Sequence, residues 1–152
     1  MNKEIISSKY TAIKRNKLSS PAKYLLDNGF LNKNKSILDL GCGRGEDVNI
    51  LKKNGFKIYG HDPNWYSNLA ALSLKYDVVL STYVFCVISE EIRLSLVKDI
   101  KGMLKDGGKA YISVRRDIAS TKTTKKGTTQ YPVYLDYKVI YDSSNFCIYE
   151  LN

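Results

Sequence analysis

Short apolar runs separated by amphipathic segments fill residues 36–114. Two of these runs, Ser36–Leu40 and Tyr76–Thr82, are continuous, and the second is rich in β-branched residues. Such runs are typical of strands that are covered on both faces of a sheet. Residues 57–62 and 109–115 predict two further strands, and helical patterns lie between the strands. This alternation predicts an α/β fold with a mostly parallel sheet.

Local signals mark where the helices begin and end. Ser20 is predicted to cap a helix over residues 21–28, because a hydroxyl residue followed by proline is a common helix start. A second helix is predicted over residues 46–54, and glycines follow both helices. Ser89 is predicted to cap a third helix. Its apolar residues at helical spacing are Ile92, Leu96, Val97, Ile100, Met103 and Leu104.

The pattern changes in the last part of the chain. Residues 118–130 are polar and are predicted to form a loop, whereas residues 131–141 and 145–151, on either side of residues 142–144, alternate between apolar and polar positions. This alternation predicts a C-terminal antiparallel hairpin at the edge of the sheet. No repeat or boundary interrupts the sequence. We therefore predict a single domain over residues 1–152, in which residues 1–18 form a basic N-terminal arm.

Composition narrows the class of protein. The chain has 152 residues, 43% of them hydrophobic, and no run approaches the roughly 18 apolar residues that span a bilayer. Its three cysteines, Cys42, Cys86 and Cys147, are dispersed, which favours reduced thiols. One histidine and no cysteine pair at ligand spacing predict no metal site. Since the start also lacks a signal-peptide pattern, we predict a cytoplasmic protein without membrane attachment.

Positive charge is concentrated in two segments. The net charge is +9, and Lys and Arg outnumber Asp and Glu by eight to two in residues 1–35 and by five to one in residues 115–126. A nucleic acid is a candidate partner, because basic side chains neutralise phosphates. The two basic strips would consist of Lys14, Arg15 and Lys17 in the arm, and Lys122, Lys125 and Lys126 in the 115–126 loop. Solubility alone accounts for this charge equally well.

The turn after the first predicted strand carries the most specific chemistry. Residues 39–47 read Asp-Leu-Gly-Cys-Gly-Arg-Gly-Glu-Asp. Glycines at alternate positions permit a tight turn and let a ligand approach the backbone closely. Glu46 and Asp47 then place negative charge at the start of a helix, which opposes a pyrophosphate and suits a ligand with ammonium and sulfonium groups. The dinucleotide pattern G-x-G-x-x-G is absent, which disfavours NAD.

Asp62 ends the second predicted strand, 21 residues after Gly41. A carboxylate at this place in such folds accepts hydrogen bonds from ribose hydroxyls. An ordinary Asp-Pro turn is the alternative explanation. Asp62 therefore supports an adenosine-containing ligand without deciding which one.

Several segments match a known family in order and spacing. ILDLGCGRGEDV resembles motif I of the class I S-adenosylmethionine (SAM)-dependent methyltransferases, and YGHDP resembles the acidic end of their second strand. YDVVLSTYV and LKDGGKAYISV resemble their fourth strand and the turn into their fifth, so that the motifs cover residues 36–116. TAIKRNKLSSPAKYLL, TYVFCVI, VRRD and FCIYEL more narrowly resemble small bacterial and phage methyltransferase domains, some of them named for an association with DNA phosphorothioation.

The resemblance implies a Rossmann-like class I methyltransferase sheet, with SAM as cofactor and S-adenosylhomocysteine as product. It implies that the backbone of Gly41 and Gly43 contacts the methionine moiety. Asp39 would lie near the amino group of that moiety, and Asp62 on the ribose. The implied cofactor-binding residues are Asp39, Gly41, Cys42, Gly43, Asp62, Pro63, Asn64, Ser81 and Thr82.

The same resemblance assigns the two ends of the cofactor. Pro63 and Asn64 would flank the adenine, with Trp65 as a candidate stacking partner. Ser81 and Thr82 would line the floor where the methyl group faces its acceptor.

The chain departs from the family at the third strand. Only 14 residues lie between Asp62 and Asp77, too few for the usual helix, strand and crossover. We therefore predict that the third strand is missing or reduced, and that the adenine pocket is shallower on that side.

Catalytic candidates follow from the chemistry of a sulfonium donor. Because the leaving group is already activated, the enzyme mainly aligns the donor and the acceptor. A side-chain base is needed only if the acceptor loses a proton early.

Tyr83 is a candidate for orienting the acceptor or for closing the top of the sheet. Arg115 is a candidate for holding a phosphate or carboxylate of the acceptor, with an internal pair to Asp117 as the alternative.

The predicted function is SAM-dependent methyl transfer, with a nucleic acid or nucleotide acceptor favoured by the charge. One alternative keeps the donor and makes the acceptor a small molecule or a protein. Another is a non-catalytic module that senses SAM or binds nucleic acid.

Overall fold

A computed structural model describes residues 3–7 and 15–152 of the chain. Much of the predicted N-terminal arm, including Lys14, lies outside these residues. In chain order the elements are α1 (Lys3–Ser7), α2 (Ser20–Asp27), β1 (Ser36–Leu40), α3 (Glu46–Lys53), β2 (Lys57–His61), β3 (Tyr76–Thr82), α4 (Glu90–Gly102), β4 (Leu104–Arg115), β5 (Lys122–Thr123), β6 (Thr129–Gln130), β7 (Lys138–Asp142) and β8 (Phe146–Leu151). Two 3₁₀ turns, Leu69–Ser73 and Phe85–Val87, flank β3.

Six strands form the main sheet, in the order β2-β1-β3-β4-β8-β7. The first four strands are parallel, and β8 and β7 add an antiparallel hairpin at one edge. This arrangement confirms the predicted α/β class, the mostly parallel sheet and the C-terminal hairpin.

The third strand of the family is missing, as predicted. Residues 62–75 contribute an isolated bridge between Asp62 and Tyr66 and the 3₁₀ turn Leu69–Ser73, but no strand of the sheet. As a result, β2 is the outermost strand on that side. The 3₁₀ turn packs beside it, where the backbone N–H of Asn68 donates to Nδ1 of His61 at 3.1 Å.

The central strands are continuously apolar because both faces of the sheet are covered. On one face, Leu25 of α2 and Leu51 of α3 pack against Ile37 of β1. On the other, Ile100 of α4 and Phe85 pack in the cluster that contains the buried positions Leu38, Val79, Ile112 and Val114. Alternate residues of each strand therefore enter different cores.

The amphipathic helix predicted after Ser89 is α4, and it ends at Gly102. Only Ile100 is fully buried. Val97, Met103 and Leu104 pack at the margin of the core, although Leu104 already belongs to β4. Ile92 and Leu96 line a cavity. No helix in the described ranges has both the length and the apolar character needed to cross a bilayer.

Three local predictions were wrong. Ser19, not Ser20, caps α2, since its Oγ accepts the N–H of Ala22 while donating to Asp47. The predicted 118–130 loop contains the small hairpin β5–β6, closed where the N–H of Thr124 donates to the Thr128 carbonyl. Residues 131–137 do not extend β7.

Polar contacts with other elements keep residues 131–137 out of the sheet. The N–H of Tyr131 donates to the Cys86 carbonyl at 2.8 Å. Nη1 of Arg116 donates to the Val133 carbonyl at 2.7 Å. These backbone groups are therefore satisfied without a strand partner.

Candidate active site

A cavity of about 620 Å³ opens at the carboxyl ends of β1, β3 and β4. This is the edge where open α/β sheets bind ligands. Asp39, Thr82 and Arg115 line it at the ends of the three strands. The glycine-rich loop also lines it, together with Arg15, Lys17, Leu18, Ser19 and Ser20.

The glycine-rich loop is shaped by close backbone packing. Gly41 and Gly43 have φ values of 80° and 57°, a region that favours glycine. The N–H groups of Gly41 and Cys42 donate to the His61 carbonyl at 2.8 and 3.1 Å, which ties the loop to β2. A Cβ at Gly41 would lie 2.4 Å from Cγ2 of Val84. Val84 therefore packs in the space that a side chain at residue 41 would need.

Asp62 joins the glycine-rich loop to the turn after β2. Its Oδ2 accepts the N–H of Gly43 at 3.0 Å, and its Oδ1 accepts the N–H groups of Asn64 and Trp65 at 2.8 and 3.1 Å. A carboxylate has about four acceptor positions. Asp62 is therefore an anchor of the loop as well as a candidate ribose ligand.

Asp39 is a buried carboxyl group aimed at the cavity. Its side chain is 2% exposed, and its Oδ1 has no hydrogen-bond partner in the described part of the chain. The pKa of Asp39 is raised to about 8, chiefly by burial and in part by the nearby charges of Asp47 and Asp62, while the charge of Arg15 opposes the rise. An orphaned buried carboxyl is costly unless a ligand completes it. A cationic group entering the cavity would satisfy it.

Asp47 makes its contacts within the protein, although the sequence suggested that its charge suits a cationic ligand. It is buried and accepts hydrogen bonds from N and Oγ of Ser19 at 2.8 and 2.6 Å. Nη1 of Arg15 donates to the same carboxylate at 3.0 Å. These contacts bring residues 15–19 over the cavity. No sequence signal predicted this wall, and Arg15 was predicted only as part of a basic strip for nucleic acid.

Tyr83 lies directly after β3 in an unusual backbone conformation. It is the only residue other than glycine with a positive φ, 61°, among the described residues. Such a conformation costs a bulky side chain about 1–2 kcal/mol and is held here by the hydrogen bond from its N–H to the Ser113 carbonyl. Burial raises the pKa of the phenol to about 12. The half-buried ring is therefore fixed and neutral at the cavity wall.

Arg115 and Asp117 form a bidentate pair on the same wall. Nε and Nη2 of Arg115 donate to Oδ1 and Oδ2 of Asp117 at 2.8 and 2.6 Å. This is the internal pair weighed as the alternative for Arg115. Because both side chains are partly exposed and line the cavity, the pair also presents polar groups to anything that enters.

Most of the implied cofactor residues meet at the cavity. Its lining includes Asp39, Gly41, Cys42, Gly43, Asp62, Pro63 and Thr82. Asn64 and Ser81 are not part of it. The Asn64 amide donates to the Ile5 carbonyl of α1 at 2.8 Å. Ser81 is 1% exposed, and side chains alternate along a strand, so that it faces away where Thr82 faces the cavity.

Trp65 lies at the cavity near Asp62 and is 41% exposed. The guanidinium of Arg44 lies 3.9 Å from the centre of its ring. A cation at this distance is attracted to the ring face. One face of the predicted stacking residue is therefore covered by the glycine-rich loop.

These residues fit SAM. The unsatisfied Asp39 oxygen suits an ammonium group, the Gly41–Gly43 backbone lines the cavity, and Asp62 lies beside Gly43. Part of the lining is apolar and consists of Ile5, Leu18, Val87, Ile88, Ile92 and Leu96. Leu96 also packs at the margin of the core.

Comparison with solved structures supports the same fold. A SAM-dependent methyltransferase from Archaeoglobus fulgidus matches at 20% identity over 62% of this chain, with a TM-score of 0.51, and the chain spans about half (52%) of its length. The 1,6-didemethyltoxoflavin-N1-methyltransferase from Burkholderia thailandensis matches at 15% identity over 97% of this chain and 84% of its own, with a TM-score of 0.63.

Magnesium protoporphyrin IX methyltransferase from Synechocystis, with S-adenosylhomocysteine bound, matches at 16% identity over 97% of this chain and 84% of its own, with a TM-score of 0.59. A comparison with curated proteins finds no match. A family model described as a methyltransferase domain matches residues 10–136. The chain therefore belongs to the methyltransferase domain family.

Proposed function

We propose that the chain transfers the methyl group of SAM to a nucleotide or nucleic-acid acceptor that enters beside Tyr83 and Arg115. The observation that carries the proposal is one continuous cavity, which runs from Asp62 past the unsatisfied Asp39 carboxyl to the Arg115 pair. Donor and acceptor would thus meet at the ends of β1 and β3.

SAM supplies an electrophilic methyl group on a sulfonium when it is bound. The chain has to bind the donor, orient it and exclude water. Asp39 and the Gly41–Gly43 backbone would hold the amino-acid end, and Asp62 the ribose. The apolar wall that includes Ile88 and Ile92 would exclude water on the acceptor side.

A basic rim beside the cavity supports the nucleotide assignment. Lys122 pairs with Gln130 across β5–β6, and Gln130 lines the cavity. The charge of Lys122 also reaches Asp117, whose pKa is lowered chiefly by its hydrogen bond to Arg115 and further by Lys122. Lys125 and Lys126 are exposed at the tip of the same hairpin. Phosphates of an acceptor would therefore meet positive charge at the entrance.

The second candidate is a small-molecule acceptor. It is favoured by the apolar wall, since small-molecule sites are mostly apolar with few polar groups. The Burkholderia relative was solved with bound 1,6-didemethyltoxoflavin, a small molecule. A non-catalytic SAM-sensing or nucleic-acid-binding module is the third candidate.

Labelled methyl transfer separates these candidates. The protein is incubated with methyl-labelled SAM and, in turn, with DNA, tRNA, free nucleotides and a small-molecule fraction. We expect label in a nucleotide-containing acceptor, at a rate that falls with salt and with the triple change of Lys122, Lys125 and Lys126 to Gln. Label confined to other small molecules would establish the second candidate. Binding of SAM without any transfer would establish the third.

Replacement of Tyr83 tests its role at the acceptor. If the ring orients the acceptor, Tyr83→Phe should keep the rate of methyl transfer within about threefold, whereas Tyr83→Ala should lower kcat roughly 10–100-fold through misalignment. The affinity for S-adenosylhomocysteine should not change. A lowered melting temperature and a weakened cofactor affinity in Tyr83→Ala, at unchanged kcat, would show that Tyr83 only closes the sheet.

Two finer assignments are part of the proposal. The kinship to small bacterial and phage domains associated with DNA phosphorothioation is supported by the matching sequence segments alone. A cytoplasmic location is supported by Cys42, Cys86 and Cys147, which are buried free thiols.

A further inference from the structure

Arg15 reaches into the cavity from the chain segment before α2. Its Nη1 donates to Oδ1 of Asp47 at 3.0 Å and to the Lys17 carbonyl at 3.2 Å. Its backbone N–H donates to Oε1 of Glu46 at 3.4 Å. The side chain is 28% exposed and lines the cavity. Arg15 is therefore held in place by the start of α3.

The guanidinium keeps unused donors in this position. Both side-chain hydrogen bonds come from Nη1, and the N–H groups of Nε and Nη2 make none within residues 3–7 and 15–152. A guanidinium presents five N–H groups in a planar fork that matches a carboxylate. Arg15 can thus bind Asp47 with one edge and a second carboxylate with the other.

Arg15 and Asp39 line the same cavity. Its charge acts on both Asp39 and Tyr83, opposing the rise of each pKa. Asp62, by contrast, is bonded to Gly43 and to the turn after β2. The amino-acid end of SAM carries an ammonium and a carboxylate on one carbon. A site that pairs a carboxyl with a nearby guanidinium is complementary to both.

The other cations of the cavity are less suited to that carboxylate. Arg44 stacks on Trp65, and the Nε–Nη2 edge of the Arg115 guanidinium is taken by Asp117. Lys17 also lines the cavity, but it is exposed and lacks the fixed geometry that Asp47 gives to Arg15.

We propose that Arg15 binds the carboxylate of the methionine moiety of SAM while Asp39 binds its ammonium. The inference rests on SAM being the cofactor. It gives Arg15 a role in cofactor selection instead of the nucleic-acid contact suggested by its place in a basic segment. Asp47 is then a positioning residue that aims the guanidinium.

The test compares two ligands that differ only in the carboxylate. Calorimetry measures the binding of S-adenosylhomocysteine and of its decarboxylated form, S-adenosyl-3-thiopropylamine. We expect the intact protein to prefer S-adenosylhomocysteine by roughly 10–100-fold, the range for a charge-assisted pair. In Arg15→Gln that preference should shrink to about threefold or less, because only the carboxylate-bearing ligand loses a contact.

Lys17→Gln is the matched control, since it removes a cation from the same segment and should leave the preference intact. An equal loss of affinity for both ligands in Arg15→Gln would overturn the proposal, as would the same change in Lys17→Gln. If Arg15→Gln does not fold, Arg15→Lys replaces it in the test. A severalfold smaller preference for S-adenosylhomocysteine in Arg15→Lys would support carboxylate binding by the guanidinium, and an unchanged preference would overturn it. If the intact protein binds neither ligand, the cofactor assignment itself fails, and Arg15 with it.

Discussion

Replacing Asp62 with alanine is expected to weaken SAM binding about 100-fold. Charge-assisted hydrogen bonds contribute about 1.5–3 kcal/mol each, and the variant loses those to the ribose together with the bond that holds Gly43 in place. Calorimetric titration with SAM and S-adenosylhomocysteine measures the change. An affinity equal to that of the unaltered protein would show that the ribose is held elsewhere.

A lost loop anchor has to be separated from a lost ligand contact. Asp62 satisfies three backbone N–H groups, so the variant should also be less stable by about 1–3 kcal/mol. Asp77→Ala is a suitable control. Asp77 accepts the N–H and hydroxyl of Ser36 at the opposite end of the sheet and does not line the cavity. We expect it to lower stability while leaving SAM affinity unchanged.

Asp39→Asn is expected to stabilise the protein at pH 8 by a few kcal/mol while weakening SAM binding at least tenfold. The stabilisation follows from the raised pKa of about 8. Between about pH 4 and pH 8 the folded chain keeps the Asp39 proton and the unfolded chain releases it, so rising pH favours the unfolded state. Because asparagine does not ionise, the variant does not lose this stability as the pH rises.

Denaturant unfolding at pH 4, 6 and 8 measures this effect. Other carboxylates, such as Asp77, have lowered pKa values and act in the opposite direction, so the difference between variant and unaltered protein is the informative quantity. That difference should grow from pH 4 to pH 8. A difference that stays constant with pH would contradict the assignment of the raised pKa to Asp39.

SAM binding should also release a proton. An arriving ammonium favours the ionised Asp39, so binding at pH 7 is expected to expel close to one proton per molecule. Calorimetry in buffers of different ionisation enthalpy detects this release, and Asp39→Asn should abolish it. Equal proton release by both proteins would place the ammonium at another group.

The strands of the main sheet could be predicted because their patterns are local. The strand Tyr76–Thr82 can be recognised without knowing which strands it pairs with, since a continuous run rich in β-branched residues seldom forms another structure. The missing third strand followed from chain length alone, as 14 residues between Asp62 and Asp77 cannot hold a helix and a strand. Gly41 and Asp62 could be singled out by their spacing along the chain, and both line the cavity.

The wall of the cavity formed by residues 15–19 could not be predicted. Ser19 caps α2 because it also reaches Asp47, 28 residues away, and neighbouring serines look alike in the sequence. Arg15 shows the same limit, since its charge was counted with the surrounding lysines although Asp47 draws it inward. Long-range polar contacts between single residues leave no periodic signal.

Trp65 can serve as an intrinsic fluorescent probe of the cavity. The sequence contains a single tryptophan, and it lies at the cavity with the Arg44 guanidinium against its ring. Light at a wavelength that indole absorbs and tyrosine does not therefore excites Trp65 alone. Its emission depends on the nearby Arg44 guanidinium and on the surrounding water. Events at this edge of the sheet can be followed in real time without attaching a dye.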